Sequence, residues 1–260
     1  EGEWQFYQLN VSDPSTIDGQ GHSITIKEDV SKFGNDAGGL FYKFNNSTVK
    51  NLVLKGSITA NTSAGGYIGA LCRSAYRTTI QNVMSTVEII DKGSGNAGGL
   101  VGYFGGNNGD GDAAYTPGSF IQNCAVYANI TSTNGTVGGL VGGTWSGYQC
   151  WQINNCIYAG TVAGETVGAI IGTHNTGRDS TFKDTWYCAN GTSEIVGKYN
   201  NDENGKNFNG YDDTVISKTA DQIATAEAAN LLNTNSDGTS NVVWKYVEGE
   251  AAYPTLKIVN

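Results

Sequence analysis

The side chains that could do chemistry are few in this chain. It has two histidines, His22 and His174, and three arginines, Arg73, Arg77 and Arg178. A polysaccharide-cleaving site would need two or three carboxylates close together, or acids with an Arg or Lys base. The acids are badly distributed for that. None falls between Asp36 and Glu88, and none between Asp112 and Glu165. Glu88 with Asp91, and Asp179 with Asp184, are the remaining candidate pairs, and both read more naturally as solvated strand ends. His174, near Arg178 and Asp179, is a candidate acid/base group in a loop, although a lone loop histidine usually has no such role. No His-Glu-x-x-His is present, so zinc-peptidase chemistry is not indicated.

Calcium is the metal worth weighing. Asn108, Asp110 and Asp112 alternate in a glycine-rich loop, as do Asn200, Asp202 and Asn204, and alternate oxygens can converge on Ca²⁺. Neither loop completes an EF-hand: Ala113 and Ser119 stand at its glycine and final acidic positions in the first, and Tyr211 at the final one in the second. Flexible polar loops are the better reading, and no cofactor is expected. The aromatic residues make a stronger pattern. Tyr76, Tyr103, Tyr115, Trp145, Tyr148 and Trp151 all lie in segments of variable length that follow a glycine motif. Stacked on one side of a repeat, they would form an aromatic strip suited to a glycan or a protein partner. Rings folded back over the core are the competing expectation.

Those segments are positioned by a repeat. Asn96-Ala97-Gly98-Gly99-Leu100-Val101-Gly102 recurs as Val137-Gly138-Gly139-Leu140-Val141-Gly142 and more loosely around Gly38, Gly65 and Gly168. A second signature alternates with it: an apolar residue, a polar residue and an asparagine, ending in Asn51, Asn82, Asn123 and Asn155. The asparagines are 31, 41 and 32 residues apart (82 − 51, 123 − 82, 155 − 123), and the glycines keep a similar variable period. Two markers in step define units of about 30 residues, the sign of a stacked repeat. Alternation after each asparagine then predicts inward columns: Leu52, Val83, Cys124, Cys156; Leu54, Ser85, Val126, Tyr158; and Ile58, Ile89, Ile130, Val162. Like residues stacked on like describe a parallel β-solenoid. The asparagines should sit at a bend, with their amides free to bond from coil to coil. The glycines read as corners, not as a phosphate cradle. One inconsistency is built in: Leu100 and Val101 cannot both face inward on a regular strand, so one of the two columns is expected outside as an apolar ridge.

The expected organisation is an all-β solenoid over residues 1–216 and a helix-containing cap over 217–260. Asp18-Gly19-Gln20-Gly21 should bend the chain between two strands. The repeat is expected to end near Thr181–Thr185, where Asp184 replaces the asparagine. Thr219 with Gln222 three residues later reads as a capping box opening a short helix. That helix, Val242–Tyr246 and Tyr253–Leu256 should then cover the open end of the last coil. The five cysteines lack metal spacing; most should be small buried side chains, and Cys150 and Cys156 could pair across a loop.

Composition bounds the partners. A net charge of -9 and a pI near 4.6 disfavour nucleic acid and anionic membranes. No apolar run is long enough to span a bilayer. The polar Asn/Thr/Gly/Tyr-rich composition suggests export. The start at Glu1-Gly2-Glu3-Trp4 then implies a signal that was removed or lay upstream.

The Gly-Gly-Leu-Val-Gly signature with its Asn-apolar strand resembles the GLUG repeat of surface-exposed bacterial proteins, over roughly residues 37–189. Asp18 to Ile24 resembles the first coil of pectate-lyase-like right-handed β-helices, and Trp244 to Leu256 the ending of many secreted Bacteroidetes proteins. The resemblance implies a single-stranded right-handed parallel β-helix at the cell surface or outside the cell. It implies a non-catalytic adhesion or ligand-presenting module directed at host or bacterial surface glycans or proteins. A polysaccharide lyase or glycoside hydrolase on the same scaffold is the alternative, and a structural stalk of a larger surface protein is a third reading. Whether the chain is an enzyme is left open, with the acid distribution against it.

Overall fold

The computed structural model describes residues 10–32, 38–108, 118–144, 149–175, 181–200, 215–235 and 243–257. The chain winds into a parallel β-solenoid of about five turns. Each turn runs through four short faces. The first face is built by Tyr67–Gly69, Asn96–Gly98, Thr136–Gly138 and Thr166–Gly168. After a glycine corner, the second holds Cys72–Tyr76, Val101–Gly105, Val141–Thr144, Ile171–Asn175 and Val196–Asn200. The third carries the residues leading to each asparagine, and the fourth those that follow it, as in the continuous strand Thr79–Asp91. A bend between Asp18 and Ser23 separates the strands Asn10–Asp18 and Ser23–Asp29, which both pair parallel with the continuous strand Phe41–Ala60.

The columns expected from alternation form the core. Leu52 pairs with Val83, Leu54 with Ser85, and Ile58 with Ile89; Ile89 pairs in turn with Ile130, and Ile130 with Val162. Every member of those three columns is buried. On the third face Val49, Ile80, Ile121, Ile153 and Phe182 stack in register. Asn51, Asn82, Asn123 and Asn155 take left-handed backbone angles, φ 52–56°, where asparagine is tolerated better than most residues. Their amides link coils: Asn51 Nδ2 donates to Asp18 at 3.0 Å, Asn82 to Asn51 at 2.9 Å and Asn155 to Asn123 at 2.7 Å.

Four expectations need correction. Tyr67 pairs with Asn96 and Ile68 with Ala97, so Gly69, not Gly65, lies opposite Gly98. The glycine interval from Gly38 is then 31 (69 − 38), matching the interval from Asn51 to Asn82. Leu100 and Val101 are both fully buried, as are Leu140, Val141, Ile170 and Ile171. Residues 99 and 100 form the bend between two faces, so strand alternation does not apply across them, and no ridge is left outside. A Cβ at Gly98 or Gly138 would strike the carbonyl oxygen three residues on and a glycine nitrogen of the next coil, which explains why this corner excludes side chains.

The coils also continue past Thr185. Asp184 takes the asparagine's place at φ 48°, Trp186 pairs with Ile157, Val196 with Ile171, and Ile216 with Trp186. A carboxylate side chain can hold the same left-handed bend, so loss of the asparagine does not end the stack. Finally, the C-terminal segment packs along a flank of the solenoid. Thr219 and Gln222 form the reciprocal capping box, followed by helix Ala226–Asn235 and the antiparallel pair Val243–Lys245 with Thr255–Lys257. Ile223, Ala228, Ala229, Trp244 and Leu256 lie on the outward fourth-face residues Ala125, Ile157 and Trp186, with Met84 at the margin. Tyr127 Oη seals this contact by donating to the Pro254 carbonyl at 2.6 Å. That outward column is apolar over several coils, and the C-terminal segment removes it from water.

Candidate functional site: a polar groove beside a tyrosine–cation cluster

At each glycine corner both apolar residues turn inward, so the outward residues on either side face one another across a concave angle. One wall is the outward rank Tyr67, Asn96, Thr136 and Thr166 of the first face. The other is Tyr103, Gly143, Thr173 and Lys198 of the second. Between them lies a groove of about 390 Å³, also lined by Asn134, Glu165, Asn175 and Asn200. Gly143 opens its floor: the nearest atoms a Cβ there would meet are Thr173 O at 3.7 Å, and Asn96 Nδ2 and Tyr103 Cδ2 at 3.8 Å. The rim is stiffened by a second amide ladder. Asn200 Nδ2 donates to Asn175 Oδ1, and Asn175 Nδ2 to the Thr144 carbonyl, each at 2.6 Å.

An aromatic cluster adjoins one end. The Tyr67 and Tyr103 rings stack at 4.1 Å, and Tyr76 meets Tyr103 edge-on at 6.4 Å. The Arg73 guanidinium lies 5.1 Å from the Tyr42 ring centre and 5.5 Å from that of Tyr67, and Lys43 Nζ lies 5.2 Å from that of Tyr76. Burial pushes the Tyr76 and Tyr103 hydroxyls above the usual phenol range, so both stay neutral. Hydroxyls, amides and flat rings can hold a polyhydroxylated ligand by hydrogen bonding and stacking.

Of the six aromatic residues expected to form a strip, Tyr76 and Tyr103 fall in this cluster. Tyr115, Trp145 and Tyr148 lie outside the described residues. Trp151 is fully buried, between Phe104, Phe182 and His174, with ring centres 6.2, 5.1 and 5.5 Å away. It sits on a strand that enters the third face, and its ring fills the core there. The groove residues Asn96, Thr136, Thr166 and Thr173 carried a signal that sequence reading passed over. Asn96, Thr136 and Thr166 each stand two residues before the first corner glycine, a position polar in every one of these coils.

Of the catalytic candidates, His174 and Asp91 are buried, hydrogen-bonded groups. His174 belongs to the strand Ile171–Asn175 and is buried, its Nδ1 3.0 Å from the Thr144 hydroxyl. Burial lowers its pKa to about 4, so it is neutral at ordinary pH. Glu88 is exposed, whereas Asp91 is buried and accepts from Thr62 N at 2.9 Å, Gly93 N at 3.1 Å and Ser132 Oγ at 3.3 Å. The two acids point to opposite sides of one strand and form no pair. Arg178, Asp179 and most of both calcium-candidate loops lie outside the described residues. Among the described ones no group of three His, Cys, Asp or Glu could hold a metal. Cys156 is a buried free thiol donating to the Asn154 carbonyl at 3.2 Å, so it does not pair with Cys150.

Comparison with solved structures finds this architecture in a Bacteroides ovatus protein provisionally described as an immunoglobulin A1 protease. The two chains are 19% identical, with a TM-score of 0.59, over 100% of this chain and 83% of that one. That likeness is one of fold. A scaffold of this kind hosts many functions. No protein-family description matches the chain, and no curated protein does.

Proposed function

We propose that this chain is a non-catalytic ligand-presenting module of a secreted or surface-attached protein, and that its groove binds glycans. The observation that carries the reading is the groove itself: a regularly spaced rank of hydroxyl and amide side chains, Asn96, Thr136 and Thr166, facing Thr173 and Lys198 and ending on the Tyr67–Tyr103 stack. Side chains repeated about every 4.8 Å along the solenoid suit a linear polymer with repeating hydroxyls. Hydrolysis is the weaker reading. Glu165 is the one carboxylate among the described residues lining the groove, and both retaining and inverting mechanisms ordinarily use two. No helix among the described residues is long and apolar enough to cross a membrane.

A glycan array probed with wild type and Tyr103→Ala tests the reading. Loss of the ring should weaken binding by about tenfold, equivalent to roughly 1.4 kcal/mol of stacking. No binding by wild type to any glycan would remove the proposal. Release of reducing ends or unsaturated products from a polysaccharide panel would establish the enzymatic alternative instead.

A further inference from the structure

We infer that the glycan taken by this groove is an acidic one, and that its carboxylate or sulfate groups dock at the cluster formed by Lys43, Arg73 and their tyrosines. The inference rests on the glycan reading and adds the ligand's charge. The first observation is a charge asymmetry: the chain carries net -9, yet residues 37–87 contain Lys43, Lys50, Lys55, Arg73 and Arg77 and not one Asp or Glu. An anion approaching this segment meets no carboxylate belonging to it, whereas most of the remaining surface repels it.

The second observation is how the cations are held. Lys50 is ion-paired with Asp18 at 3.4 Å on the third face, in the strand portion that leads to Asn51. Lys43 and Arg73 lie over tyrosine rings that belong to, or touch, the groove wall. Ring faces hold both cationic groups beside the groove. A guanidinium gripped between Tyr42 and Tyr67 loses little further freedom on binding a carboxylate or sulfate.

The third is alignment. Lys43, Ser74, Tyr103, Gly143, Thr173 and Lys198 are paired residue by residue along the solenoid axis, with Ser74 buried between Lys43 and Tyr103. Five coil steps of about 4.8 Å set the two lysines about 24 Å apart. A linear acidic chain lying along the rank would meet cationic side chains at both ends and the Tyr103 and Thr173 hydroxyls between them, with the Asn96 amide and Thr136 hydroxyl on the facing wall.

The test compares a uronate oligosaccharide, a sulfated oligosaccharide and a neutral glucan, all hexasaccharides, by calorimetry at low and high salt. Either acidic ligand should bind wild type more tightly than the glucan, and its affinity should fall as salt rises. Lys43→Gln with Arg73→Gln should weaken acidic binding by about tenfold and leave glucan binding within about twofold. Lys43→Arg with Arg73→Lys should restore most of the loss, which separates charge from folding, and the wild-type salt titration needs no variant at all. Equal binding of acidic and neutral ligands at both salt concentrations would overturn the inference while leaving the glycan groove intact. Failure of all three to bind would overturn both. Tighter binding of a single-stranded polynucleotide than of either acidic sugar would also overturn it.

Discussion

Removing the Asp91 carboxylate should loosen three successive coils at once. Its Oδ1 accepts from Thr62 N and Gly93 N, and its Oδ2 from the Thr62 and Ser132 hydroxyls, the first of these at 2.5 Å. Thr62 lies one coil before it and Ser132 one coil after, so one buried carboxylate closes three turns of the loop that leads to the first face. Asp91→Ala leaves two backbone N–H groups unsatisfied in a buried position. Each such group costs about 1–3 kcal/mol, so the expected loss is about 3–5 kcal/mol. Asp91→Asn keeps one carbonyl oxygen for both N–H groups and loses only the charge-assisted hydroxyl bonds, so a loss of about 1–2 kcal/mol is expected. Urea unfolding followed by circular dichroism measures both losses. Hydrogen exchange at residues 62 and 93 localises them. If Asp91→Ala unfolds within about 0.5 kcal/mol of wild type, below the smallest loss compatible with an unsatisfied buried N–H, the carboxylate is not the link described here.

Stability should fall with acid through His174. Its folded pKa, near 4, lies below the unfolded value of 6.5, so its neutral form favours folding; the contribution is complete above about pH 6.5 and is lost as pH falls towards 4. The span corresponds to about 3 kcal/mol, and His174→Gln should flatten the stability profile in that window; an unchanged profile would remove His174 as its source. Asn123→Ala should lose about 2 kcal/mol, from a left-handed backbone without asparagine and from the lost bond to Asn155, whereas Asn123→Gly should lose only about 1; equal losses in chemical denaturation would show that the backbone angle contributes nothing. Trp244→Ala should remove about 3–5 kcal/mol of packing from the flank and expose Ala125 and Ile157, read by faster limited proteolysis after residue 217 with the coils still intact; simultaneous loss of the coils would mean that the flank is needed to hold them.

The repeat was legible because each coil solves the same local problem. Asparagine tolerates the left-handed bend and can donate to the coil beside it, and glycine alone fits the corner, so both residues recur at the coil period and mark it. Alternation from Asn82 correctly placed Val83, Ser85 and Ile89 inside, since within a strand each residue fixes the direction of the next. The capping box at Thr219 and Gln222 was equally local.

What the chain order could not convey was the angle between faces. Leu100 and Val101 are both buried because the backbone turns between them, and the same turn makes Asn96 and Tyr103 neighbours across a groove. Trp151 and Tyr103 read alike as aromatic residues in segments that follow a glycine motif, yet one fills the core and the other lines the groove. The outward column of Met84, Ala125, Ile157 and Trp186 holds ordinary strand residues until the C-terminal segment is laid against it. Sequence therefore determined what stacks on what, since stacking repeats one local geometry. Tertiary structure decided which surfaces became walls, core or flank, because that depends on how successive faces turn and on what returns to cover them.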